Sequence, residues 1–230
     1  MPYKKWSEHP YPGQSTPPKG NPLPEFWKMF FIYRSGNNQF FDRFQRRVIW
    51  SLQDPNQINW ESELEMVQQT AATLTPWQKE IAEYWGNGIL IEKITPILFR
   101  LAAKHNMGTT KLSLVLGHFY AAVNDAFVMS MYFKYHWDTA RPIQYTNDES
   151  FSVVYTPRSP SYPSGHAAMA GCSEAVLSHF FPGELANIKR TMEECAQSRL
   201  YAGVHFKADI EAGLQLGRQI GKNAVDYLKT

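Results

Sequence analysis

The sequence predicts an all-α protein, a single-domain helical bundle. Apolar residues recur at spacings of three and four over most of the chain, and no segment alternates with period two for long enough to argue for a sheet. Breaks such as Asp54-Pro55-Asn56 and Pro182-Gly183 cut the chain into pieces of helical length. With 230 residues, 43% of them hydrophobic, one core is the expected outcome.

Residues 1–24 read as a proline-rich tail that lies on the body or wraps it, because repeated prolines fix φ and remove backbone donors. Residues 25–230 read as one helical domain. Within it "EFWKMFFIYR" and "NQFFDRFQRRVIWSL" place apolar residues at helical spacing. "WESELEMVQQTAATL" forms the next helix. Thr75 and Pro76 then cap and open another over "PWQKEIAEYWG", which Gly86 and Gly88 end. "ILIEKITPILFRLAAKHN" is helical with an expected kink at Pro96, and a long helix runs from Thr109 to about Trp137. A polar loop precedes "SGHAAMAGCSEAVLSHFF", and two more helices, "ELANIKRTMEECAQSRLYAG" and "FKADIEAGLQLGRQIGKNAVDYLK", complete the chain.

A formal net charge of +2 supplies no broad electrostatic reason for a nucleic-acid partner. Cys172 and Cys195 are too few for a disulfide framework or a structural zinc site, so both are expected as buried thiols. The first residues have no apolar core of the kind a secretory signal needs, which predicts a cytoplasmic address. Leu112 to Phe133 is long enough to span a bilayer, but His118, Asn124 and Asp125 interrupt it. The expectation is a buried central helix of a soluble protein that is not integral to a membrane, with apolar helix surfaces that would suit a homodimer.

Three clusters carry chemistry. In "PSYPSGHAAMAG", Ser164 at a helix N-cap and Gly165, whose backbone can be approached closely, present free N–H groups and the positive end of a helix dipole to an anion. His166, on the first turn, can exchange a proton with a ligand oxygen. A capped helix with a surface histidine would look the same. In "KYHWDTARP", seven residues separate Lys134 from Arg141, nearly two helical turns, so both cations fall on one helix face before Pro142. Asp138 between them could instead simply pair with both. In "SRLYAGVHFKAD", Arg199 offers a planar fork for phosphate-like oxygens. His205 precedes Asp209 by four residues, a spacing that lets the carboxylate hold one imidazole nitrogen, whether for catalysis or structure. His118 and His136 are expected to be core or rim residues, and Trp137 reads as core or pocket wall, its place between Lys134 and Arg141 being one that could put it near the pocket.

Read together, Lys-x6-Arg-Pro, Pro-Ser-Gly-His and Ser-Arg-x5-His-x3-Asp resemble the motifs of the superfamily that unites type 2 phosphatidic acid phosphatases, bacterial acid phosphatases and vanadium-dependent haloperoxidases. The "YPSGHA" and "AGVHF" contexts are most similar to its soluble bacterial haloperoxidase-like branch. The resemblance spans Lys134 to Asp209 and implies that family's helical fold.

It also implies roles. Lys134, Arg141, Ser164, Gly165 and Arg199 would hold a tetrahedral oxyanion. In a phosphomonoesterase His205 would attack phosphorus, Asp209 would support its imidazole, and His166 would protonate the leaving alcohol, with no metal or other cofactor. In a haloperoxidase vanadate would occupy the pocket with His205 as its metal ligand. The partners would be a small phosphate ester or, alternatively, hydrogen peroxide and halide. Ser159, seven residues before His166, stands where well-known haloperoxidases often carry an aromatic or histidine, and this favours the phosphatase. A non-catalytic phosphate-binding role is the remaining alternative.

Overall fold

A computed structural model describes residues 3–229 apart from 147, 149 and 151. It is a helical structure as expected, with departures over residues 25–52, where the two expected helices do not form, and at Pro142, which opens a short helix instead of halting one. Residues 32–48, expected as helix, form a small antiparallel sheet of β1 (Ile32–Arg34), β2 (Phe40–Asp42) and β3 (Arg47–Val48) in the order β1-β2-β3. Asn38 and Gln45 take positive φ, 55° and 61°, in the two turns. Tyr33 opposes Phe41 and Phe40 opposes Val48, so aromatic and β-branched pairing across the ladder prevails over the three-and-four spacing.

Among the described residues eight α-helices follow: α1 (Trp60–Ala72), α2 (Pro76–Gly86), α3 (Leu90–Lys104), α4 (Thr109–Trp137), α5 (Pro142–Thr146), α6 (Gly165–Phe180), α7 (Leu185–Tyr201) and α8 (Lys207–Tyr227). The Thr75 hydroxyl and the Gln78 side chain close a capping box at the start of α2. The main core joins residues of α3, α4, α6, α7 and α8, among them Leu98, Phe119, Met129, Val176, Met192 and Leu216. Both cysteines are free and buried within it, and burial pushes the Cys195 thiol up to about 12.

α6 and α8 lie against each other at backbone distance. A methyl group on Gly213 would stand 2.5 Å from the Ser164 carbonyl oxygen, and one on Gly217 would be closer still to that of Ala168. This near approach lets the first turn of α8 reach the first turn of α6: the Ser164 amide donates to the Asp209 carbonyl at 2.8 Å.

The N-terminal segment is tied to the body. Lys5 bridges Thr139, the Trp6 amide donates to Asp138 O (2.8 Å), and Ala140 N donates to Lys4 O (2.9 Å). Trp6 and Tyr11 are buried with Ile143. Asp125, fully buried on α4, accepts the amides of Phe30, Phe31 and Ile32 at 2.8, 2.7 and 3.3 Å, and so fixes the strand segment to the long helix.

Candidate active site

The residues singled out in the sequence meet at the ends of five helices, though not always by the expected route. α4 stops at Trp137 because Asp138 turns into the left-handed region (φ 55°). Arg141 therefore lies outside the helix, just before α5, rather than one face along it from Lys134. The Asp138 carboxylate does not pair with either cation; it accepts from the amide and hydroxyl of Ser7. The two cations converge through the chain reversal at Asp138.

Lys134, Arg141, Arg199 and His205 are 3%, 1%, 1% and 3% exposed, so three cations and an imidazole share a dry site. Lys134 Nζ donates to the carbonyls of Pro160 (2.6 Å) and Ser161 (2.7 Å). An ammonium has three donors, so one is left for a ligand. Arg141 is held by the Ser159 carbonyl at 2.9 Å and the Val204 carbonyl at 2.8 Å. Among the described residues the Nε and Nη1 of Arg199 are buried with no hydrogen-bond partner. Desolvation, with Arg141 nearby, pulls the Arg199 guanidinium down to about 10. Unsatisfied buried donors of this strength call for an anion.

His205 sits ahead of α8, and Asp209 is in that helix's first turn, so their contact is made across the helix start rather than along its face. Asp209 Oδ2 takes His205 Nδ1 at 2.8 Å, the Phe206 amide at 2.9 Å and the Ser161 hydroxyl at 2.5 Å. On the other side of the ring Nε2 lies 3.0 Å from Arg141 Nη1. A guanidinium can only donate, so Nε2 carries the lone pair and Nδ1 carries the proton. Burial, reinforced by Arg141, Lys134 and Arg199, pushes His205 well below the usual imidazole range, while burial pushes Asp209 up to about 6. The pair is a neutral imidazole supported by a carboxylate.

Ser164 caps α6, its hydroxyl accepting from Ala167 N at 3.4 Å. A methyl on Gly165 would lie 3.3 Å from Ser130 Oγ and 3.9 Å from Lys134 Cε, so the glycine keeps the helix N-terminus open beside the lysine. His166 has a backbone hydrogen bond with Trp85 and a buried Nε2 that no described residue satisfies. Burial and then the field of Arg199 push its pKa well below the imidazole range.

Sequence reasoning missed three contributors. Ser161 touches both Asp209 and the lysine; Gln144 accepts the Arg141 amide at 2.7 Å; Gly86 faces Arg199, with a methyl there only 2.9 Å from Nη1. The signal for Ser161 was its place three residues before Ser164. Gly86 was read only as a helix terminator. Trp137 stacks on Phe133 and meets Tyr162. His118 is structural as expected, bonded to the Ala224 carbonyl at 2.7 Å.

Residues 113–227, half of the chain, match the family described as the PAP2 superfamily. The chain belongs to the PAP2 superfamily. Its relatives differ in chemistry. A non-specific acid phosphatase of Salmonella typhi is 39% identical over 57 residues, 25% of this chain and 23% of its own length. The crystal structure of a bacterial vanadium-dependent iodoperoxidase is 26% identical with a TM-score of 0.65, covering 77% of this chain and 50% of that one. The match thus spans about a quarter of the curated relative and half of the iodoperoxidase.

A transmembrane PAP2 type phosphatidylglycerolphosphate phosphatase from Bacillus subtilis is similar at 20% identity and a TM-score of 0.56, over 75% of this chain and 88% of that one. This overturns the expected partner set of a small phosphate ester, or peroxide with halide, away from any membrane. The same fold serves a membrane enzyme. Among the described residues α4 is the one helix long and apolar enough to cross a bilayer, and half of its most apolar stretch is buried inside the fold.

Proposed function

We propose that this PAP2 protein is a phosphomonoesterase working through a phosphohistidine. The observation that carries this reading is the orientation of His205. Its Nδ1 proton is held by Asp209, and its Nε2 lone pair points at Arg141, a cation suited to an equatorial phosphoryl oxygen.

A phosphoryl group among Lys134, Arg141, Arg199 and the amides opening α6 would replace the missing partners of Arg199 and bring phosphorus to Nε2. Attack forms the N–P bond as the P–O bond to the alcohol breaks. Positive charge developing on the imidazole is met by Asp209, and the oxygens are stabilised by donors already in place. His166 is neutral in the free protein because burial, and then the field of Arg199, Arg141 and Lys134, opposes its proton. The entering oxyanion reverses that field, so His166 can take up a proton and pass it to the leaving oxygen. Water then attacks the phosphohistidine, with His166 as base, and phosphate leaves.

The test is to mix the protein with p-nitrophenyl phosphate, quench, and map phosphoryl groups by mass spectrometry. Phosphate on His205 that disappears in His205→Ala supports the reading; absence of both phosphate release and label overturns it.

The 26% identity with an iodoperoxidase over most of the chain favours a second reading. The unpartnered Arg199 donors and the His205 Nε2 lone pair also fit vanadate, held by Lys134, Arg141, Arg199, Ser164 and Gly165 with His205 as its ligand. When bound, vanadate supplies haloperoxidase oxidation chemistry. In that case His205, Asp209 and Ser161 orient the coordinating nitrogen, and His166 holds a proton at the pocket edge. Haloperoxidase turnover by the vanadate-loaded protein, without a trapped phosphohistidine, would establish this reading over the first.

A further inference from the structure

The segment between the N-terminal strap and the sheet leaves large apolar side chains in water. Leu23, Phe26, Trp27, Phe30 and Tyr33 are 65%, 67%, 53%, 48% and 38% exposed. All five fall within residues 23–33. Phe26, Trp27 and Tyr33 line a single hollow with Lys28, Arg34 and Arg43, and Trp27 leans on Phe127 of α4 at 5.9 Å. Cations are interleaved with the rings: the Arg34 guanidinium lies over Phe26 at 5.9 Å, and Arg43 donates to the carbonyls of Phe30 and Met29. The acid within the hollow is Glu25, which faces Arg34. Asp42 nearby is buried and bonded to Arg46.

We propose that this patch docks the protein on a bilayer containing anionic phospholipid. Aromatic rings with apolar bodies favour the headgroup boundary, and each exposed cation there gains from the negative surface potential. Lysine is depleted in protein interfaces, whereas here Lys28 stands exposed between the two most prominent rings and Phe30. The area argues the same way. Five half-exposed side chains offer roughly 500 Å², judged from aromatics that bury about 150–250 Å² each, less than the ~800 Å² per partner of a stable protein pair. The docking is independent of which reaction the buried site performs.

The test is co-sedimentation of the purified chain with vesicles of equal parts phosphatidylglycerol and phosphatidylcholine, compared with pure phosphatidylcholine. The expected result is pelleting on the mixed vesicles that weakens with added salt. Lys28→Gln with Arg43→Gln should lower partitioning about thirtyfold, near fivefold per cation. Phe26→Ala with Trp27→Ala should abolish it. Circular dichroism checks that each variant is folded, and two variants of different chemistry keep a folding failure in one from deciding the result. No pelleting of the wild type, or pelleting unchanged in both folded variants, overturns the proposal. So does a doubled mass in light scattering that both variants return to one chain, because the patch is then the seat of a second copy.

Discussion

Replacing Ser161 by alanine tests the proposed chemistry through a residue that touches no substrate. Its hydroxyl donates to Asp209 Oδ2 at 2.5 Å in a fully buried setting and holds that carboxyl down against the desolvation that raises it to about 6. A hydrogen bond to a charged group contributes about 1.5–3 kcal/mol. With about 1.36 kcal/mol per pH unit, its loss should raise the Asp209 midpoint by about one to two pH units. The sign is fixed: the hydroxyl favours the carboxylate, so removing it favours the protonated acid. Since His205 needs an ionised Asp209, the acid limb of activity, set near pH 6 by the pair, should move to about pH 7–8. The assay is the pH dependence of kcat/KM on p-nitrophenyl phosphate, with orthovanadate affinity against pH as a second readout that needs no turnover. Ser161→Thr, which keeps the hydroxyl, should restore the wild-type limb. A Ser161→Ala protein that is less active but has an unshifted acid limb in both readouts refutes the reasoning, because a purely structural defect lowers the curve without moving it.

Other outcomes are expected. His205→Ala should lower phosphohydrolysis by more than about a thousandfold while circular dichroism stays native; a residual rate near wild type removes His205 from the nucleophile role. Gly86→Ala puts a methyl 2.9 Å from Arg199 Nη1 and 2.8 Å from Val154 Cγ1, so vanadate inhibition should weaken about tenfold or more, at an overpacking cost of about 1–3 kcal/mol. An unchanged inhibition constant would show that Arg199 is not a ligand. Gly217→Ala forces α6 and α8 apart at backbone distance; denaturant titration should show a loss of at least about 3 kcal/mol, and near-native stability would contradict the close packing.

Helices from α1 onward were legible where a capping residue, proline or glycine acts locally, as Thr75-Pro76 and Ser164 do, whereas Pro142 was read only as a helix stop and α5, which it opens, was missed. The sheet was not legible. Phe40, Phe41 and Val48 fit a helix stripe as well as a ladder, and the pairing that decides between them is anchored by Asp125, 93 to 95 residues away, accepting the amides of residues 30–32. The site shows the same division. Its motif residues could be named, but their geometry could not be read from helical spacing. Lys134 and Arg141 meet because Asp138 breaks the helix they seemed to share, and His205 meets Asp209 from outside α8. Ser161, Gln144 and Gly86 act through contacts that only the folded chain creates.

The same burial that makes the site anion-hungry also makes it proton-poor, and this couples binding to protonation. Burial first, and then the field of Arg199, Arg141 and Lys134, holds His166 well below its ordinary pKa when no anion is present. Seating a dianion among those cations reverses their part of that opposition and sets a negative charge beside the buried ring, so His166 should charge as the ligand enters, and binding near neutral pH should take up about one proton. Calorimetry of phosphate binding in buffers of differing ionisation enthalpy measures that number directly. In His166→Gln the uptake should vanish while the affinity of the three cations for phosphate largely persists. Uptake that survives this substitution would assign the proton to the His205–Asp209 pair or to the ligand, and His166 would then lose its place as the group that protonates the leaving oxygen.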